Sequence, residues 1–207
     1  MPYWDGSFGP KTVWIAVRDR SPDQVADALR LSDREPMPWG QGIVRAYRDG
    51  VYVCPATGSW TLAHGHGMPW DSYCPAEPLA FCAWLREMSS MLGEVQFFSS
   101  HRVPDTHHWS WAKDGEIVRA YLFGNSSVRL FIGEPTTGEI ELGVGLYPDP
   151  DSADSWTDQQ WDSFYETTPG ETEVWELAGK WSMDPMATTS DIASDRRGIW
   201  GRIQRAH

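Results

Sequence analysis

Cysteine is scarce in this chain, and its few residues form no recognisable pattern. Cys54, Cys74 and Cys82 are odd in number, and no two of them have the C-x-x-C spacing. A disulfide framework needs paired cysteines, and zinc ribbons and thiol–disulfide motifs need the short spacing. The sequence therefore indicates neither a disulfide scaffold nor a zinc ribbon, and it favours a reducing compartment.

Long apolar runs are also missing. The segment Met1-Pro2-Tyr3-Trp4-Asp5-Gly6 has neither the cationic nor the apolar region of a signal peptide. No stretch approaches the roughly 18 apolar residues that a membrane-spanning helix requires. We therefore expect a cytoplasmic protein that makes no contact with membranes.

Lysine and arginine are absent between Leu130 and Gly179, where twelve acidic residues occur. These are Glu134, Glu139, Glu141, Asp149, Asp151, Asp154, Asp158, Asp162, Glu166, Glu171, Glu173 and Glu176. The formal net charge of the whole chain is -12. Negative charge concentrated in this way repels nucleic acid and attracts basic partners over roughly 8 Å at physiological salt. It predicts no nucleic-acid binding, and either a solvated surface that maintains solubility or a surface that steers a basic partner.

Signature motifs of catalysis and nucleotide binding are absent. The chain contains no G-x-S-x-G nucleophile elbow, and none of its G-x-G pairs continues into a phosphate-binding loop. The run Asp149-x-Asp151-x-x-Asp154 lacks the glycine and the terminal glutamate of a calcium loop. We therefore predict no cofactor.

The histidines give weak evidence for a metal site. His64 and His66 on one strand would point the same way and could share an ion with a cysteine. Their spacing matches no zinc motif, and the adjacent His107 and His108 would face opposite sides of a strand. Our prediction is no metal site.

Where β-branched and aromatic residues are present, their pattern is typical of an α+β fold with an antiparallel, meandering sheet. Such residues fill the stretch from Val95 to Phe131 around Asp114-Gly115, a dipeptide that favours two-residue hairpins. Further strands are predicted at 12–18, 43–47, 51–54 and 60–64, with a hairpin turn at Asp49-Gly50 between the second and third of these.

Helix signals occur in four places. Ser21-Pro22-Asp23-Gln24 is a capping box that opens a helix near 22–31, and a second helix spans 78–92 before Gly93. Two more are predicted at 157–166 and after Thr168-Pro169-Gly170-Glu171. We expect the first two to pack on one face of the sheet and the last two to form a helical C-terminal cap. Residues 1–207 are predicted to be a single domain, with 184–207 as a loosely held basic tail.

Two functional hypotheses follow from these patterns. The preferred one is a non-catalytic binding protein whose acidic surface, including Asp149, Asp151, Asp154, Asp158 and Asp162, engages a basic protein partner. By analogy of class and charge, such a protein could be an inhibitor or an immunity-type protein.

The alternative is a small-molecule-binding protein or an enzyme with its site at the loop from His101 to Trp109. This loop contributes His101, Arg102, Asp105, His107, His108 and Trp109. Loops at sheet ends often carry binding residues, and Ser99 or Ser100 with His107 and Asp105 could form a nucleophilic triad. A purely structural interpretation is a buried Arg102–Asp105 ion pair that fixes the loop. The thirteen tryptophans likewise fit an aromatic-ligand site or a tryptophan-rich core.

Overall fold

The structure is a computed structural model that describes residues 8, 11–69, 77–147, 156–185 and 196–204. Within these residues the chain forms nine strands and six helices. The strands are β1 (Lys11–Arg18), β2 (Leu31–Pro38), β3 (Val51–Val53), β4 (Trp60–His64), β5 (Glu94–His101), β6 (Thr106–Lys113), β7 (Glu116–Gly124), β8 (Ser127–Ile132) and β9 (Arg197–Ile203). The helices are α1 (Pro22–Ala28), α2 (Trp39–Ala46), α3 (Pro78–Leu92), α4 (Thr137–Leu142), α5 (Asp158–Glu166) and α6 (Glu171–Trp181).

All nine strands belong to one antiparallel sheet in the order β2-β9-β3-β4-β1-β5-β6-β7-β8. The predicted α+β class and the meander from Val95 to Phe131 are therefore confirmed. Asp114 and Gly115 have φ values of 50° and 88° at the β6–β7 turn, and positive φ at both central residues is what a type I′ hairpin requires. No helix in the described residues combines the length and the apolarity needed to cross a bilayer.

Both faces of the sheet are buried, as β1 shows. Its residues from Thr12 to Val17 are all buried, with Ile15 directed to one hydrophobic cluster and Trp14 to the other. Side chains of α1 and α3 join the first cluster, which is mainly aliphatic. Side chains of α2, α5 and α6 join the second, which contains the buried tryptophans Trp14, Trp39, Trp109 and Trp200. Much of the tryptophan content is therefore core.

The strand predicted at 43–47 is wrong, because these residues belong mainly to helix α2. Trp39, Ile43 and Ala46 lie at i, i+4 and i+7 and are all buried against the sheet. This helical spacing gives α2 one continuous apolar face, and packing of that face outweighs the strand preference of the β-branched residues.

Two glycines of α2 test this packing. A Cβ at Gly42 would lie 2.2 Å from the ring of Tyr52, whereas a Cβ at Gly40 has no atom within 4 Å. The ring cannot yield easily, because Tyr52 is fully buried and its hydroxyl donates to the Met37 carbonyl at 3.0 Å. We expect Gly42→Ala to lower the free energy of unfolding by about 1–3 kcal/mol. Gly40→Ala should raise it by up to about 1 kcal/mol, as measured by urea denaturation. If both substitutions stabilised the protein, the close packing of Gly42 against the Tyr52 ring would be contradicted.

The expectation of a loosely held tail is wrong for residues 197–203. These form β9, which is hydrogen-bonded between β2 and β3 inside the sheet. Trp200 is buried beneath the Arg45 guanidinium, which lies 3.4 Å from its ring centroid. Arg202 donates to the Asp49 carboxylate at 2.6 Å. Arg196 likewise donates to the Ala56 carbonyl, so these two basic side chains bind neighbouring elements, while residues 186–195 and 205–207 lie outside the described part.

Candidate functional site

The loop from His101 to Trp109 is the β5–β6 connection together with the first part of β6. His107, His108 and Trp109 are buried, His101 is half-buried, and Arg102 and Asp105 are exposed. His107 and His108 face opposite layers, as the alternation along a strand requires. The six candidate ligand-binding side chains therefore do not converge on one open site.

His108 and Trp109 are core residues. His108 lies between Phe81 and Phe97, with ring centroids at 4.4 and 4.9 Å, and its Nε2 is 3.0 Å from the Ser110 hydroxyl. Burial lowers the pKa of His108 to about 3, so its imidazole is neutral at physiological pH. Trp109 stacks on Tyr121 at 4.5 Å and donates its indole N–H to Glu139 at 2.7 Å.

Ser100, His107 and Asp105 do come together in space. The Ser100 hydroxyl is 3.2 Å from His107 Nδ1, and His107 Nε2 is 3.1 Å from an Asp105 carboxylate oxygen. The solvent exposure of these side chains is the reverse of that in a catalytic triad, because Ser100 is 1% exposed whereas the Asp105 side chain is 62% exposed. A nucleophile must reach its substrate, and the carboxylate that orients the base is normally the shielded member. The arrangement instead fixes the β5–β6 turn.

The predicted Arg102–Asp105 ion pair is wrong, since Asp105 binds His107. Arg102 instead lies within electrostatic range of Tyr47 and Glu171. Burial raises the pKa of each of these two groups, and the Arg102 guanidinium partly opposes that rise. The turn is thereby linked electrostatically to the end of α2 and the start of α6.

Little space is available beside the histidines. A cavity of about 10 Å³, lined by residues including Thr12, His66, Ser100 and His101, matches the volume of a single water molecule. His64 is buried, stacks on Phe8 at 4.5 Å and has its Nδ1 2.8 Å from the Thr12 hydroxyl. Across the described residues, no three His, Cys, Asp or Glu side chains are grouped so as to hold a metal ion. Cys74 lies outside those residues.

The second candidate site is the acidic stretch, and the structure separates its carboxylates into distinct roles. Glu139 is fully buried, Glu141 pairs with Lys180 at 2.6 Å, and Glu173 accepts from the Gly170 backbone N–H at the start of α6. Glu134, Asp158, Asp162, Glu166 and Glu176 are exposed. Asp149, Asp151 and Asp154 lie outside the described residues.

Glu139 shows that part of the acidic stretch is buried within the fold. It lies on α4, and both of its oxygens accept from Arg119 Nε, at 2.9 and 3.2 Å. The Trp109 indole donates to one oxygen and the Thr136 backbone N–H to the other, each at 2.7 Å. Because these acceptors are all occupied by protein donors, Glu139 is a structural carboxylate and not a binding group.

Helix α5 presents the clearest exposed acidic face. Asp158, Asp162 and Glu166 follow one another at intervals of four residues and are exposed. No ion pair within the described residues includes any of the three. Phe164 is the buried residue of α5, and a Thr157–Gln160 capping box begins the helix.

Sequence reasoning missed the aromatic residues beside this face. Trp161 and Tyr165 are also four residues apart, and their rings stack with centroids 6.1 Å apart and an interplanar angle of 26°. Tyr165 is 64% exposed. The spacing could have been recognised in the sequence DQQWDSFYE, where two aromatic and three acidic residues share the helical repeat.

Two regions therefore remain to be compared. One is the β5–β6 turn with its buried histidines, and the other is the exposed acidic and aromatic face of α5. Catalysis at the turn would require a substrate to reach the buried Ser100, whereas the carboxylates of α5 are already accessible to a protein partner. No family model, curated protein or solved structure matches this chain.

Proposed function

We propose that this protein is a non-catalytic binding protein whose acidic surface engages a basic macromolecular partner. The observation that carries the proposal is the exposed acidic face of α5, where Asp158, Asp162 and Glu166 form no ion pair with any described residue. Glu134 and Glu176 add exposed negative charge from the neighbouring segments. No lysine or arginine interrupts the chain between 130 and 179.

Unpaired surface charge of one sign acts at a distance. It raises the association rate with an oppositely charged protein, and this effect weakens as salt screens the field. Phosphate-binding proteins such as nucleases carry basic surfaces, to which an acidic surface is complementary. This negative charge supports a role as an inhibitor or immunity-type protein that binds a basic toxin or nuclease.

The alternative function, an enzyme or small-molecule-binding protein acting at the His101 to Trp109 loop, has less support. Its serine is buried, its histidines are divided between the two faces of the sheet, and its cavity is the size of one water molecule. The alternative is favoured by the fact that Ser100, His107 and Asp105 lie within hydrogen-bonding distance of one another in a chain. Substrate access to Ser100 would require the β5–β6 turn to open.

Paired affinity capture tests the proposal. The wild-type chain and a variant with Asp149, Asp151, Asp154, Asp158 and Asp162 changed to Asn are immobilised and exposed to the same cell extract. We expect the wild type to retain a basic protein that is released by salt, and the variant to retain much less of it. Equal retention by both baits, or retention of an acidic partner, would contradict the proposal.

A control variant that loses carboxylates elsewhere on the surface makes this comparison specific. Asp23, Glu87 and Glu116 are exposed carboxylates on α1, on α3 and at the start of β7. Changing them to Asn, Gln and Gln removes three negative charges away from α5. We expect this control to retain the basic protein nearly as well as the wild type does.

A further inference from the structure

The geometry points to a specific docking face on α5, and we propose that it binds an arginine-bearing segment of a protein partner. In this arrangement guanidinium groups pair with Asp158, Asp162 and Glu166 and stack on the exposed ring of Tyr165, which itself stacks on Trp161. The inference rests on the proposed function and deepens it, because it names the helix and the type of side chain that are recognised.

The aromatic and acidic rows of α5 lie side by side. With about 100° of rotation per residue, Trp161 and Tyr165 fall within about 60° of Asp158 on one side, and Asp162 and Glu166 fall within about 80° on the other. Phe164, the buried residue, lies beyond the aromatic row. The outer surface of α5 is therefore a strip with flat rings along one margin and carboxylates along the other.

The carboxylate row is unfavourable for the helix itself. Like charges at i and i+4 destabilise a helix, and Glu166 places negative charge at the C-terminal end, where the helix dipole disfavours it. A helix of nine residues has little intrinsic stability, and α5 buries only Phe164 fully among its residues. A cationic partner would relieve the repulsion along this row, which explains how an arrangement unfavourable in the free protein favours the complex.

Arginine fits this strip better than lysine. A guanidinium is planar, is weakly hydrated and can stack on an aromatic face while it donates hydrogen bonds to a carboxylate. The same chemistry occurs within the protein, where Arg45 lies 3.4 Å from the ring centroid of Trp200 and pairs with Glu35 at 2.6 Å. The exposed ring of Tyr165, which stacks on the partly buried Trp161, provides such a face beside free carboxylates.

The spacing of the row suggests the form of the partner segment. Residues four apart on a helix rise by about 6 Å, and alternate residues of an extended strand are about 6.6–6.8 Å apart. An extended segment with arginine at every second position would therefore place one guanidinium near each of Asp158, Asp162 and Glu166.

Peptide binding provides the test. The probes are two labelled, capped five-residue peptides with threonine at positions two and four, and either arginine or lysine at positions one, three and five. Affinities are measured by fluorescence anisotropy at about 0.1 M salt, where charges more than about 10 Å apart are largely screened. For the wild type we expect tighter binding of the arginine peptide, by about twofold to fivefold.

Three variants locate the interaction. The triple variant Asp158→Asn, Asp162→Asn, Glu166→Gln should weaken binding of both peptides by about tenfold, from the loss of three exposed ion pairs. The control triple Asp23→Asn, Glu87→Gln, Glu116→Gln should change it by less than about twofold, because its charges lie away from α5. Tyr165→Ser should remove most of the preference for arginine while leaving lysine-peptide binding nearly unchanged.

The outcomes separate this inference from the proposed function. Equal affinity for the two peptides in the wild type, or equal losses in the two triple variants, would overturn the α5 assignment. If capture of the basic protein depends on the acidic residues but survives the α5 triple variant, the proposed function stands and the α5 inference fails. If the peptides behave as expected while the wild type captures no basic protein, the α5 inference stands and the proposed function fails.

Discussion

Replacing Glu139 with Gln is expected to lower the free energy of unfolding by about 3–5 kcal/mol, because it leaves a buried arginine without its counter-charge. Arg119 and Glu139 are both fully buried. The other guanidinium nitrogens of Arg119 donate to the Ile132, Gly133 and Gly145 carbonyls at 2.7–3.2 Å, so the side chain cannot turn toward solvent without losing these bonds. Urea denaturation followed by tryptophan fluorescence measures the loss.

A double-mutant cycle separates the ion pair from the packing. Arg119→Met alone should also be strongly destabilising, since it leaves the Glu139 carboxylate without its cation. The double variant Arg119→Met, Glu139→Gln should lose less stability than the sum of the two single changes, because no uncompensated charge remains. Additive losses, or a cost below about 1 kcal/mol for Glu139→Gln, would contradict the structural role given to this pair.

Acidification is expected to destabilise the protein through two buried histidines. Burial, reinforced for His64 by the nearby His66, lowers the pKa values of His64 and His108 from 6.5 to about 3. Between these values the unfolded chain binds a proton at each histidine that the folded chain does not bind. Stability therefore falls as the pH drops below 6.5, by about 2 kcal/mol for each histidine between pH 7 and pH 5.

The His108→Phe variant tests this pH dependence. Phenylalanine suits a site lined by Phe81 and Phe97, and it removes the titrating group. From pH 7 to pH 5 the variant should lose about 2 kcal/mol less stability than the wild type does. Ser110→Ala is the control, because it deletes the hydrogen bond to His108 without removing the imidazole. If His108→Phe loses as much stability between pH 7 and pH 5 as the wild type does, protonation of His108 is not linked to folding.

Local signals in the sequence were sufficient to predict several elements. The Asp114-Gly115 hairpin depends on the positive φ values of two adjacent residues, and α3 depends on Pro78 at its start and Gly93 at its end. The Ser21–Gln24 capping box also forms as predicted. In each case the interactions that define the element lie within a few residues, so the residue types alone indicate it.

Elements that depend on distant partners were predicted poorly. Strand β9 lies between β2 and β3, which come from the other end of the chain, and no local pattern specifies that pairing. Glu139 was grouped with the surface carboxylates of the acidic stretch because its partner Arg119 lies on β7, outside that stretch.

The candidate sites show the same division between features that depend on local sequence and features that depend on long-range packing. The four-residue repeat that places Asp158 and Asp162 on one face of α5 can be recognised in the sequence, because it is a property of the helix alone. The inaccessibility of Ser100 cannot be recognised there, since it depends on burial between the two layers of the fold. Residue types suggested a triad, and three-dimensional packing removed its access to substrate.

The central claim, that exposed carboxylates bind a basic protein, is tested most directly by measuring the affinity for the captured partner across a range of salt concentrations. We expect the dissociation constant of the wild-type complex to rise steeply with salt, and that of the variant lacking the five aspartates at 149, 151, 154, 158 and 162 to rise much less. A wild-type affinity that is insensitive to salt and equal to that of the variant would contradict the account.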